Sequence, residues 1–134
     1  MTPEAATAAG AILVSKDQLF ERADILTIHL VLSGRTRGLV GAAELERMKP
    51  TARLINASRG PIVDEQALIS ALTKRHIAGA AIDVFDIEPL SASHSFRTLD
   101  NVLATPHIGY VSDGLYKTFY EDTVSNIRQW LDTH

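Results

Sequence analysis

Arg59, Glu88 and His107 are the side chains whose types could act together in one reaction. A guanidinium grips an anion, an imidazole moves a proton near neutral pH, and a carboxylate holds that imidazole in one protonation pattern. Each stands just past a stretch that reads as a buried strand: Arg59 after residues 52–56, Glu88 after 77–85, His107 after 102–104. In a parallel α/β sheet such positions face the same edge. Taken singly, each has a plainer reading: a solvated arginine, a turn-capping Glu88-Pro89, a hydrogen-bonded structural histidine. Asp83 adds to the set because it interrupts an apolar strand, where a carboxylate needs a ligand or a backbone donor.

The elements that must position these groups follow from apolar spacing. Thr2-Pro3-Glu4, an alanine run and Gly10 predict a short helix. Residues 11–14 predict a short strand, and Ser15-Lys16-Asp17-Gln18 a capping box opening a helical turn with Leu19 and Phe20. Residues 25–30 are apolar and β-branched on both faces, which predicts a strand buried on both sides. A helix is expected from Gly41 to Lys49, ended by Pro50, and another after Asp64-Glu65, with Ala67, Leu68, Ala71 and Leu72 as its apolar face. Residues 86–101 have turn composition. The last helix carries Leu115, Phe119, Val124, Ile127 and Leu131 at helical spacing, a stripe expected in a core or an interface. Strands alternating with helices imply an α/β domain, a parallel sheet with helices on both faces.

Composition narrows the classes. A chain of 134 residues with 46% hydrophobic residues suffices for one domain with a core. A net charge of -3, with Lys and Arg scattered, argues against nucleic acid as a partner. The absence of cysteine excludes thiolate chemistry. No apolar run reaches the ~20 residues that span a bilayer, and no secretory leader is recognisable, so a cytoplasmic protein without membrane partners is expected. The five histidines lack metal-ligand spacing, and no metal site is expected. His29 reads as a core histidine, His76 as a helix-end charge, His94 and His134 as exposed. Asn56-Ala57-Ser58 matches a glycosylation sequon at a strand end and is taken as a false positive.

Four motifs in order resemble the D-isomer-specific 2-hydroxyacid dehydrogenase family: Ile28-His29-Leu30 with Arg35-Thr36-Arg37-Gly38-Leu39; Leu54 through Glu65; Ala80 through Leu90; and Thr105-Pro106-His107-Ile108-Gly109. The phosphoglycerate dehydrogenase and glyoxylate reductase branches are nearest in appearance. The resemblance implies a nicotinamide-dependent oxidoreductase acting on a small 2-hydroxy or 2-oxo acid, with NAD as cofactor and NADP equally open. It assigns Arg59 to the substrate carboxylate and 2-oxo oxygen, His107 to general acid/base work and Glu88 to holding that histidine. Asp83 matches a position near the nicotinamide carboxamide. Leu30, Val31, Thr36, Ala57, Ser58, Arg59, His107 and Gly109 match cofactor-lining positions. Val31 stands where many relatives have proline.

The chain also lacks what such a fold begins with. No Gly-x-Gly occurs anywhere, so the phosphate-binding turn is missing. The expectation is an incomplete Rossmann-type, doubly wound sheet without its first two strands: a partial NAD(P)-binding domain over residues 1–134, with no separate substrate domain. Strand 11–14 would then have no neighbour, and strand 25–30 a bare edge open to association. As a fragment it would have little activity alone. The alternative is a non-catalytic module that pairs with a full-length homologue. Oligomeric state is left open, with a homo-oligomer or such a homologue as the partner.

Overall fold

The computed structural model describes residues 2–134. Its elements run in the order α1 (Pro3–Ala8), α2 (Lys16–Arg22), β1 (Ile25–Ile28), α3 (Ala42–Arg47), β2 (Arg53–Asn56), a 3-10 turn (Gly60–Ile62), α4 (Glu65–Thr73), β3 (Gly79–Ile82), a second 3-10 turn (Ser95–Arg97), β4 (Val102–Ala104) and α5 (Asp113–Thr133). The four strands form one sheet in the order β1-β2-β3-β4, and every pairing is parallel. Parallel neighbours need a crossover connection, and α3 and α4 supply two of them.

Local sequence explains where the helices begin and end. Thr2 accepts a hydrogen bond from the Ala5 amide, and Pro3 occupies the first turn of α1. Ser15 and Gln18 form the reciprocal capping box of α2. The Glu44 carboxylate takes the Gly41 amide at 2.9 Å and, from its other oxygen, the Lys16 ammonium at 2.7 Å. This ties α3 to α2. Asp64 caps α4 through the Ala67 amide.

The core lies against one face of the sheet. Leu26 and Ile28 of β1, Leu54 and Asn56 of β2, and Ala80 and Ile82 of β3 are all buried. The apolar ones pack with Leu45 of α3, Met48 just after it, and Leu68 and Leu72 of α4. The opposite row, in register across Thr27, Ile55, Ala81 and Leu103, runs from half-buried to exposed.

Three expectations are corrected here. The strand predicted at residues 11–14 does not form: the segment is irregular, and Ile12 is 76% exposed. A strand is stable only when its backbone donors and acceptors find a ladder, and this segment has no strand partner. The 25–30 strand is shorter, and its burial alternates instead of being two-sided, with Ile25 64% exposed. Period-2 alternation needs one covering layer, and on β1 only one is present. Of the core or interface expected for the α5 stripe, the core is ruled out, because no residue of that helix is buried within the chain. No helix of the described residues is long and apolar enough to cross a membrane.

Candidate active site

The C-terminal ends of β2, β3 and β4 carry Arg59, Glu88 and His107 to one rim of the sheet, as parallel register requires. His107 Nδ1 lies 2.7 Å from Glu88 Oε2. The Phe85 amide donates to the other Glu88 oxygen at 2.9 Å. Both carboxylate oxygens are therefore committed, and the imidazole ring is held by its Nδ1 side. The hydrogen bond from His107, then the Phe85 amide and the charges of His107 and Arg59, keep the Glu88 carboxyl below its ordinary range against the opposing effect of burial. The Arg59 charge is thus felt at Glu88. The only hydrogen bond of its guanidinium among the described residues runs from Nη1 to the Ser58 carbonyl at 2.6 Å. The remaining donors of its fork are available to an anion.

His107 has φ +57, an uncommon conformation for a residue with a side chain. The turn is held by its amide donating to the Thr105 carbonyl at 3.0 Å. Just beneath it, Asp83 binds the ends of the same turn. Its oxygens accept from Thr105 Oγ1 at 2.5 Å, the Ile108 amide at 2.9 Å and the Gly109 amide at 2.8 Å. The partner expected for a buried aspartate is therefore the backbone that aims His107. Burial raises the Asp83 carboxyl, but these hydrogen bonds, with the charge of His107, outweigh it and leave it below the ordinary value. Tyr110 sits edge-on to the His107 ring, with centroids 6.1 Å apart.

The positions matched to the cofactor gather at the same rim. Ser58 Oγ donates to the Leu30 carbonyl, joining the ends of β1 and β2. Thr36 Oγ1 donates to the Val31 carbonyl at 2.8 Å. A Cβ built on Gly109 would lie 2.9 Å from Asp83 Oδ2 and 3.9 Å from the Ala57 Cβ, so these three residues are mutual neighbours. Val31, at the rim, is 85% exposed. Thr36 connects to the others only through the Val31 loop. Asn56 of the sequon is buried and donates from Nδ2 to the Arg59 carbonyl at 3.0 Å, shaping the loop that presents the guanidinium. A cleft of about 610 Å³ adjoins the pair, lined by Phe85, Glu88, Leu90, Phe96, Leu103 and His107 among others; Arg59 is not among its walls.

Two histidines are placed otherwise than expected. His29 is exposed rather than core, its Nε2 3.0 Å from Thr27 Oγ1, because the β1 edge is uncovered. His94 is not exposed. It is half-buried and bonded to Glu65 at 3.0 Å, a pairing between residues far apart in sequence that no local spacing signals. Glu65 had only the look of a helix N-terminal charge.

Two expected results arise at Asp83. Asp83→Asn places an amide donor against amide or hydroxyl donors and is expected to cost about 1.5–3 kcal/mol, read from the urea midpoint at neutral pH. The pH dependence has a definite sign. Asp83 and Glu88 both titrate lower when folded, so their contribution is present above the unfolded carboxyl pKa and is lost as pH falls through the folded values. Asp86 is shifted the other way by burial and by Glu65 and Asp64, against Arg37. The wild-type urea midpoint should therefore drop more steeply below about pH 4 than that of Asp83→Asn, because the variant has already lost one of these carboxylates. Equal slopes would contradict the assignment.

A parallel sheet with crossover helices and a carboxylate–imidazole–guanidinium set at its C-terminal rim defines an α/β protein built like a dinucleotide-binding domain. Residues 1–109 match the family model described as D-isomer specific 2-hydroxyacid dehydrogenase, NAD binding domain, and the chain belongs to that family. A D-3-phosphoglycerate dehydrogenase from Synechocystis sp. is 42% identical over 131 residues, 98% of this chain and 24% of the relative. The crystal structure of a phosphoglycerate oxidoreductase from Vibrio cholerae superposes with a TM-score of 0.90 at 32% identity, covering 98% of this chain and 42% of that one. A D-isomer specific 2-hydroxyacid dehydrogenase from Xanthobacter autotrophicus, solved with NADPH and MES, is 43% identical with a TM-score of 0.67, over 69% of this chain and 29% of that one. The chain thus spans roughly a quarter to two fifths of the length of these relatives.

Proposed function

We propose that residues 1–134 form the substrate-facing part of an NAD(P)-binding domain in a D-2-hydroxyacid dehydrogenase, a protein that interconverts a small 2-hydroxy acid and its 2-oxo acid. The observation that carries this reading is the 2.7 Å contact between His107 Nδ1 and Glu88, at the rim that also presents Arg59. A bound nicotinamide would supply the hydride for the carbonyl carbon. The rim fits that end of a dinucleotide: Leu30 and Val31 offer exposed apolar surface, Gly109 lies close against Asp83 and Ala57, and Asp83 underlies the floor. NAD follows from the family, and NADP remains open.

The chain's own residues divide the work. Arg59 takes the substrate carboxylate with its free donors and steadies negative charge on the 2-oxo oxygen. His107 carries the moving proton on Nε2, because Nδ1 is engaged by Glu88. In reduction, Nε2–H gives its proton to the oxygen as the carbon–hydrogen bond forms; in oxidation the neutral ring takes it back. Glu88 favours the imidazolium and fixes the ring's orientation.

The test is NADH or NADPH oxidation with a panel of small 2-oxo acids, by the chain alone and by a chimera carrying it in place of the matching segment of the Vibrio cholerae relative. Turnover in the chimera with little in the isolated chain is the expected result. A folded chimera without turnover on any 2-oxo acid would sink the reading. In the active chimera, Arg59→Lys should raise KM about tenfold or more, since an ammonium cannot make the two-pronged contact.

A second reading, a non-catalytic module that pairs with a full-length homologue, draws on the β1 edge, which among the described residues pairs only with β2, and on the exposed apolar side chains of α5. Co-elution with a homologue in size-exclusion chromatography would support it. A monomer that stays apart from the homologue would remove it.

A further inference from the structure

Glu88 rides on the long segment between β3 and β4, whose only regular structure is the short 3-10 turn Ser95–Arg97. One carboxylate from α4 fastens that segment to the body of the domain. Glu65 Oε1 lies 3.0 Å from His94 Nε2, and Glu65 Oε2 lies 3.5 Å from the Asp86 amide, so the same side chain reaches the start and the middle of the segment. The Glu65 and His94 side chains are only 18% and 19% exposed. Phe96 donates its amide to His94 Nδ1 at 3.2 Å. Nδ1 is therefore the acceptor, and the neutral ring carries its proton on Nε2, aimed at Glu65. The His94 ring packs on Phe96 at 4.9 Å between centroids, and Phe96 packs on Phe85 at 6.3 Å. The Phe85 amide is the donor that holds Glu88. A continuous path of contacts thus runs from Glu65 through His94, Phe96 and Phe85 to the carboxylate that orients His107.

We propose that Glu65 and His94 are positioning residues for the Glu88–His107 pair: they touch neither the substrate side of His107 nor Arg59, and act by fixing the backbone that presents Glu88. The inference rests on the reading of that pair as proton-transfer machinery. It distinguishes these two residues from the surface ion pairs of the chain, such as Lys49–Asp24 and Arg75–Asp100, which join exposed groups remote from the rim.

The test reads the ring nitrogens of His107 by 15N NMR on the full 134-residue chain, at about pH 9, well above the ordinary imidazole range. With Glu88 in place, the proton of His107 sits on Nδ1. His94→Asn keeps an oxygen that can accept from the Phe96 amide but is too short to reach Glu65. It should lower the ratio of Nδ1–H to Nε2–H tautomers about tenfold, the size expected for loosening one hydrogen bond to a charged group. The amide spectrum of β2 and β3 should stay unchanged. Glu65→Gln retains an oxygen for His94 and should keep most of the wild-type ratio. Should His94→Asn not fold, Glu65→Ala makes the same comparison. An unchanged ratio in folded His94→Asn or folded Glu65→Ala overturns the proposal, and so does loss of folding in both of these, which would make the contact purely structural. The measurement uses neither cofactor nor substrate, so it can fail while the dehydrogenase reading stands, and a failed turnover assay leaves the tautomer ratio itself unaffected.

Discussion

His107→Ala is expected to lower kcat for 2-oxo acid reduction about 10²- to 10⁴-fold in the active chimera, with cofactor affinity nearly unchanged. The size follows from the proton transfer proposed for the imidazole. Without it, the proton must come from water, which is neither positioned nor held at a suitable acidity. Cofactor affinity should survive because Nδ1 is tied to Glu88, and the contacts that shape the rest of the rim lie elsewhere: Ser58 to Leu30, and Asp83 to Gly109. Steady-state turnover together with fluorescence titration of the reduced nicotinamide separates the two effects. Equal loss of turnover and of cofactor binding would mean that the variant had collapsed the Thr105–Gly109 turn. Unchanged turnover would remove His107 from the chemistry.

Gly60→Ala should be the most destabilising of the glycine-to-alanine changes in the chain. A Cβ at this position would lie 2.1 Å from the Phe85 carbonyl carbon and 2.2 Å from its oxygen, with the Asp86 amide at 2.7 Å. These are backbone atoms, so no rotamer change relieves the clash. Either the Gly60–Ile62 turn or the Phe85–Asp86 stretch after β3 must move. Overpacking of this kind costs about 1–3 kcal/mol or more, which in a domain of this size is a loss of several degrees in Tm. The functional consequence is specific. Gly60 follows Arg59, and Phe85 holds Glu88, so the methyl pries apart the two loops that bring guanidinium and carboxylate to one rim. Urea unfolding and the KM of the active chimera should therefore both suffer. A variant with wild-type stability would show that the close approach of these loops is not tight.

Much of this was decided within short stretches of chain. The caps at Thr2 and Ser15, the stop at Pro50, the acidic start of α4 and the strands ending before Arg59, Glu88 and His107 all depend on neighbours a few residues away, and the sequence carries them directly. The family motifs likewise place the reactive side chains at strand ends, because parallel connections allow few other arrangements. What stayed hidden depends on which surfaces meet. Residues 11–14 and 25–30 look alike in composition, yet only the second finds a ladder, since pairing needs a partner strand and not apolarity. The α5 stripe has the spacing of a packed helix but buries nothing, because amphipathicity says that a face could be covered and not that it is. His94 has the local look of a surface residue and becomes half-buried only when Glu65, far away in the chain, folds over it. Asp83 announced a need for partners; that those partners are the Ile108 and Gly109 amides is a fact of β3 lying beside β4. Sequence by itself determined the elements and the kinds of chemistry at their ends, since both follow from local backbone and side-chain preferences. The tertiary structure alone decided which faces are covered and how the loops lock together, because burial and long-range hydrogen bonds are properties of pairs of segments and not of either one.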